Sequence, residues 1–230
     1  MRFHYLTTSV LFLFLGHGLL QAKEVFFSGK DLAGWKAEDM SYWTVKNGVI
    51  IGTNGAKKVP GNQFLWYEKN VQDFKLTLWV KQVPFAANAG IQFRSKREPS
   101  GHAIGYQADI GKGWWGSLYH EHGRRILAKS KDTHGKNVKP EKWNKYEILA
   151  VGCRIWLAIN GQITVALRDP IGELDGQISL QLHGGMPQKV MYKTFALERN
   201  PQVKLLGMNE SELNKKLTIA PQGFVQPSKK

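Results

Sequence analysis

Three short segments of this sequence carry side chains whose types and spacing can do chemistry. In the segment 177–183, alternation places Ile178, Leu180 and Leu182 on one face and Gln177, Ser179, Gln181 and His183 on the other. In 89–95, Ile91 and Phe93 take the core face and leave Gln92 and Arg94 opposite. In 103–110, Tyr106, Ala108 and Ile110 share the core face, so Gln107 and Asp109 point away. If these strands are neighbours in one sheet, they make a polar surface holding Arg94, Gln107, Asp109, Gln181 and His183. Planar donors and acceptors of this kind suit sugar hydroxyls, and aromatic rings suit the apolar faces of a sugar. Trp114, Trp115 and Tyr119 follow directly in a glycine-rich segment and can form a wall; Trp79, on the non-core face of its own strand, can form a floor. The competing reading is an ordinary solvated sheet face, although such faces favour Thr, Lys and Glu.

Other constellations carry less. Glu173-Leu174-Asp175 spaces two carboxylates as jelly-roll β-glucanases do, but Gly172 and Gly176 bracket it and place it in a turn, and no third carboxylate follows. His120, Glu121 and His122 have metal-ligand chemistry but read as solvated alternate residues of a hairpin, without the partners a four-ligand site needs. Cys153, the only cysteine, reads as structural and excludes an intramolecular disulfide.

Strands must position these residues. Phe74 to Lys81 alternates with period two. Trp43–Val45 and Val49–Ile51 flank Asn47-Gly48, and 154–159 and 162–166 flank Asn160-Gly161, so both pairs read as hairpins closed by residues that tolerate positive φ. Further strands are expected at 145–151 and 190–198, and no amphipathic helix of ten residues precedes position 208. The pattern predicts one antiparallel β-sandwich over residues 23–200. Beyond it, 201–230 reads as a basic tail or an arm packed on the domain, with one short helix at 211–217 capped by Ser211.

Arg2, the apolar stretch 6–20 and Leu20-Gln21-Ala22 form a signal-peptide pattern over residues 1–22, too short and glycine-broken to span a bilayer. The expectation is an exported, periplasmic or secreted protein with no lipid-anchor cysteine at the cleavage point and no membrane span. Eight tryptophans and eleven phenylalanines supply a core without disulfides. The formal charge of +14 is spread as scattered doublets, which predicts a solvated surface and no nucleic-acid partner, with attraction to acidic glycans left open.

Seven segments in order, FSGKDLAGW (27–35), WTVKNGVIIG (43–52), NAGIQFR (88–94), GYQADIG (105–111), WNKYEILAVG (143–152), ING (159–161) and ISLQLHGG (178–185), resemble the 3-keto-disaccharide hydrolase family (DUF1080). The resemblance covers about 24–199. It implies a concanavalin A-like jelly-roll β-sandwich of two antiparallel sheets, and action on glycosides oxidised at C3 of a sugar ring by elimination and hydration. Carried onto this chain, it implies Arg94, Asp109 and His183 as catalytic residues, with His183 or Asp109 as the base and Arg94 orienting or polarising the ketone. Asn88, Gln92, Tyr106, Gln107 and Gln181 join Trp79, Trp114, Trp115 and Tyr119 as substrate-binding residues. No cofactor is required by the pattern, and a divalent metal on His183 and Asp109 is the alternative way to polarise the ketone. Gln107 stands where related strands often carry Glu. That departure keeps a non-catalytic carbohydrate-binding module, or an envelope-associated structural domain, open as alternatives.

Overall fold

The computed structural model describes residues 25–130 and 137–223; the signal pattern at 1–22 lies outside them. In chain order the strands are β1 (Trp35–Lys36), β2 (Trp43–Lys46), β3 (Val49–Thr53), β4 (Gln63–Val71) and β5 (Phe74–Val83). They continue as β6 (Asn88–Arg97), β7 (Ala103–Gly111), β8 (Leu118–Glu121) and β9 (Arg125–Ala128). Then come β10 (Asn144–Val151), β11 (Arg154–Ile159), β12 (Gln162–Arg168), β13 (Gly176–Leu182) and β14 (Lys189–Arg199), before helix α1 (Glu210–Asn214) and β15 (Thr218–Ile219).

Two sheets result, of order β1-β4-β13-β6-β7-β8-β9 and β15-β12-β11-β10-β5-β14-β3-β2. All pairs are antiparallel except the short parallel pair of β12 with β15. This is the expected jelly-roll β-sandwich. Both Asn-Gly turns form, with φ of 52° and 73° at Asn47 and Gly48, and 49° and 86° at Asn160 and Gly161. Between the sheets, Leu76, Leu78 and Val80 of β5 face Ile91 and Phe93 of β6, Ala108 and Ile110 of β7, and Leu180 and Leu182 of β13 in one continuous core.

β4 escapes the period-two rule, and its neighbours show why. Leu65 and Tyr67 enter the main core, while Phe64 and Trp66 pack with Ala103 on the opposite side, so four successive apolar residues are all buried. A strand covered on both faces loses its alternation.

Residues 203–217 lie against the outer side of the second sheet. Leu205 and Leu213 pack on Leu149, Trp156 and Ala158, and Trp156 Nε1 donates to the Leu213 carbonyl at 3.2 Å. The helix there begins one residue earlier and ends three residues earlier than expected. Its N-cap is Asn209, not Ser211, because Asn209 and Glu212 exchange side-chain and backbone hydrogen bonds in a capping box. Among the described residues no helix is long and apolar enough to cross a membrane.

Candidate active site

The register of the first sheet assembles the site. Gln181 of β13, Gly90 of β6 and Asp109 of β7 lie in one row across three strands; Ser179, Gln92, Gln107 and Tyr119 of β8 form the next. Both rows sit on the face turned away from the core. His183, just past the end of β13, and Asn88, at the start of β6, close one end. The result is a cleft of about 240 Å³ lined by Asn88, Gln107, Asp109, Trp114, Tyr119, Glu121 and His183. The loop from Gly111 to Gly116 places one wall. Its turn directs Trp114 to the cleft and Trp115 to the core, and Lys129 Nζ rests 4.1 Å from the Trp114 ring centroid.

Gly90 is the device that lets this floor form. A Cβ there would lie 2.4 Å from Gln107 Cδ, so the Gln107 amide occupies the space a side chain would take. From that position Gln107 accepts from Gln92 Nε2 and donates through Nε2 to Asp109 Oδ1 at 2.6 Å. Ser95 Oγ in turn donates to Gln92 Oε1 at 3.3 Å. This relay has a direction, because each amide donates toward Asp109. With Oδ1 engaged as acceptor, a proton on Asp109 belongs on Oδ2, which is buried without a protein partner. Burial pushes the Asp109 carboxyl up to about 8, against the opposing pull of the Gln107 hydrogen bond.

His183 is polarised in the opposite sense. Its Nδ1 lies 2.6 Å from the Gly184 carbonyl oxygen, which can only accept, so Nδ1 carries the hydrogen and the neutral ring leaves Nε2 bare. Burial also raises Glu121, while His122 and His183 hold it back. Unpaired polar atoms concentrate on this face: Asn88 Oδ1, Asp109 Oδ2, Ser179 Oγ and both ends of the Gln181 amide are buried with no protein partner. Buried polar atoms normally have partners, which sets this face apart from an ordinary solvated sheet face.

Several residues expected here lie elsewhere. Arg94 does not face the cleft. A bulge between Phe93 and Lys96 and a φ of 46° at Arg94 turn its side chain away. There it is fully buried and donates to the carbonyls of Gln72 (2.8 Å), Gly152 (2.6 Å) and Glu173 (3.4 Å) and to Asp73 (3.1 Å). Tyr106 takes the core face, and its hydroxyl donates to Asp169 Oδ2 at 2.5 Å. Trp115 is in the core, and Trp79 belongs to β5 in the other sheet. Gln92 and Gln181 are on the right face but fully buried, one as support for Gln107 and the other in the floor.

Glu121 lines the cleft, a place its reading as a solvated hairpin residue does not give it. Alternation from Tyr119 along β8 puts it on the cleft face, and its pairing with Gly105 confirms the register. His120 departs from the solvated reading: it is buried, with Nε2 against both oxygens of Glu173 at 3.0–3.1 Å, whereas His122 is exposed as expected, with Nδ1 3.0 Å from Glu98 Oε2. Glu173 therefore anchors its loop to β8, in the turn the glycines predict. Among the described residues no three His, Cys, Asp or Glu side chains come together to hold a metal. His183 and Asp109 alone do not make a fitting donor set for a metal.

Comparison with known proteins adds to this geometry. Residues 22–198 match the family described as the 3-keto-α-glucoside-1,2-lyase-like domain. No curated protein matches the chain. Among solved structures, a protein from Parabacteroides distasonis assigned as a glycosyl hydrolase superposes with a TM-score of 0.60 at 18% identity, covering 77% of this chain and 94% of the other. A family-66 carbohydrate-binding module from Bacillus subtilis superposes at 0.54 with 14% identity, covering 72% and 95%. At such identities the likeness is one of fold.

Proposed function

The chain belongs to the 3-keto-α-glucoside-1,2-lyase-like domain family, and from that membership and the chemistry of the cleft we propose that it cleaves glycosides already oxidised at C3. The fold is one of carbohydrate-active proteins. The observation that carries the finer reading is Asp109: a buried carboxyl, pushed up to about 8 and without a protein partner at Oδ2, in a residue that lines the same cleft as His183.

A carbonyl at C3 acidifies the C2 hydrogen. His183 Nε2 takes that proton, the electron pair moves into an enolate, and the C1–O bond breaks as the glycosidic oxygen receives the Asp109 proton. Water then adds across the new C1–C2 double bond with the two roles reversed, so the net outcome is hydrolysis. A neutral carboxyl at pH 7 is the donor this route needs. Asn88 and Glu121 are placed to bond hydroxyls, and Trp114 offers its ring to a sugar face. Gln107, in place of Glu, is no base in this scheme: its amide fixes which Asp109 oxygen is free.

A second reading, a carbohydrate-binding module using the same cleft, is favoured by the neutral amide at 107. Incubating the purified chain with a 3-keto-glucoside and its unoxidised parent separates the two. The proposal expects sugar release from the keto compound alone, lowered about 100-fold or more by His183→Gln or Asp109→Asn. Binding without release would favour the module. We also propose export, supported by Arg2, the apolar stretch 6–20 and Ala22.

A further inference from the structure

The second sheet has an outer face that the C-terminal arm covers only in part. Leu149 of β10 and Trp156 of β11 lie under the arm, which reaches β5 at Lys75, whose Nζ donates to the Lys204 carbonyl at 3.4 Å; among the described residues the arm's core contacts stop there, short of Trp79 and of β14, β3 and β2. On this open part the register sets Lys145, Trp79, Lys193, Val49 and Lys46 in a single row across five strands. The alternate residues of these strands, Tyr146, Leu78, Tyr192 and Ile50, are core, so the row points outward. Adjacent strands lie about 4.8 Å apart, which puts the three lysines at intervals of about 10 Å, with Trp79 between two of them. Trp143, immediately before β10, lies across the same face, since Lys193 Nζ sits 4.3 Å from its ring centroid. Lys81 of β5 and Lys189 of β14 extend the positive field along their strands. Glu147 is buried and paired with Lys145 at 3.2 Å, so it offsets the charge of that lysine and leaves Lys193, Lys46, Lys81 and Lys189 as the main positive groups.

The face interleaves lysines with two half-buried tryptophans, and its lysines outnumber its acidic residues, Glu147 and the exposed Glu198 opposite Lys75. Tryptophan rings fit the apolar faces of sugars, and evenly spaced ammonium groups fit a repeating series of carboxylates or sulfates. We propose that the outer face centred on Trp79 and Lys193 binds a linear acidic polysaccharide. It lies on the sheet opposite the one that carries the cleft, and it does not depend on what the cleft does. The position of Trp79, unsuited to a cleft floor, is what this second surface explains.

The test uses the full chain with polygalacturonate as the probe, an uncharged glucan as the neutral control and vesicles rich in anionic lipid as a third ligand. The expected result is binding to polygalacturonate that weakens with added salt and little to the glucan. Trp79→Ala and the pair Lys145→Glu with Lys193→Glu should each weaken it by about tenfold or more, whereas Asp109→Asn should not. Lys46→Glu, on an exposed edge strand, serves as a variant that leaves the packing intact and should also weaken it. Polygalacturonate binding that is absent, or that survives all the face variants, overturns the proposal. Binding to vesicles but not to polygalacturonate overturns it in favour of a membrane surface.

Discussion

Replacing Gly90 with alanine is the smallest change that reaches the centre of the cleft. The added Cβ would sit 2.4 Å from Gln107 Cδ, 2.6 Å from Cγ and 2.7 Å from Oε1, so the amide must leave its place. Backbone does not yield easily here, because Gly90 is paired on both sides, with Gln181 and Asp109. Overpacking of this kind costs about 1–3 kcal/mol. With about 2–4 °C of melting temperature per kcal/mol for a chain of this size, the expected fall is about 2–12 °C. The displaced amide also releases Asp109 Oδ1, and since that hydrogen bond holds the carboxyl down, its loss sends the Asp109 pKa higher still. Thermal unfolding of Gly90→Ala, Gln107→Ala and the double variant gives the decisive comparison. Trimming Gln107 removes the obstacle, so the double variant should be more stable than the sum of the single losses requires. A Gly90→Ala protein that melts with the wild type, or strictly additive losses, would refute the placement of Gln107 over Gly90.

Two further outcomes follow from the same geometry. Asp109 has a folded-state pKa of about 8 against an ordinary 3.8, so the folded state holds its proton across that interval. Its contribution to stability is therefore full below about pH 4 and is lost as pH rises through 8; denaturant unfolding at pH 5, 7 and 9 should show this decline, and Asp109→Asn should flatten it. Arg94→Ala leaves three carbonyls and Asp73 without their buried donor, which should remove about 3–5 kcal/mol of stability in the same measurement, while a folded fraction keeps its affinity for cleft ligands.

Much of this molecule is legible in its sequence because period-two alternation and Asn-Gly turns are local signals. The facing of Gln107, Asp109 and His183 follows from alternation alone, as does that of Glu121, two residues beyond Tyr119 on β8. Arg94 resists because a bulge reverses facing within a strand, and no local pattern marks the bulge between Phe93 and Lys96. Trp79 resists for a different reason. Alternation gives the face of a strand but not the sheet to which it belongs, and β5 pairs with β10 and β14 across long stretches of chain. The direction of the Gln92–Gln107–Asp109 relay is likewise a property of three strands brought together, with Gly90 as the silent member.

The most direct test of the elimination route is to run the reaction on a 3-keto-glucoside in deuterium oxide and examine the released sugar at early times by NMR, before it exchanges unaided. Removal of the C2 proton and later hydration predict one solvent deuterium at C2 of the product, with the label and the release both lost in His183→Gln. Release of sugar that keeps its original hydrogen at C2 would contradict the account, since the bond would then have broken without the enolate that His183 and Asp109 are positioned to form.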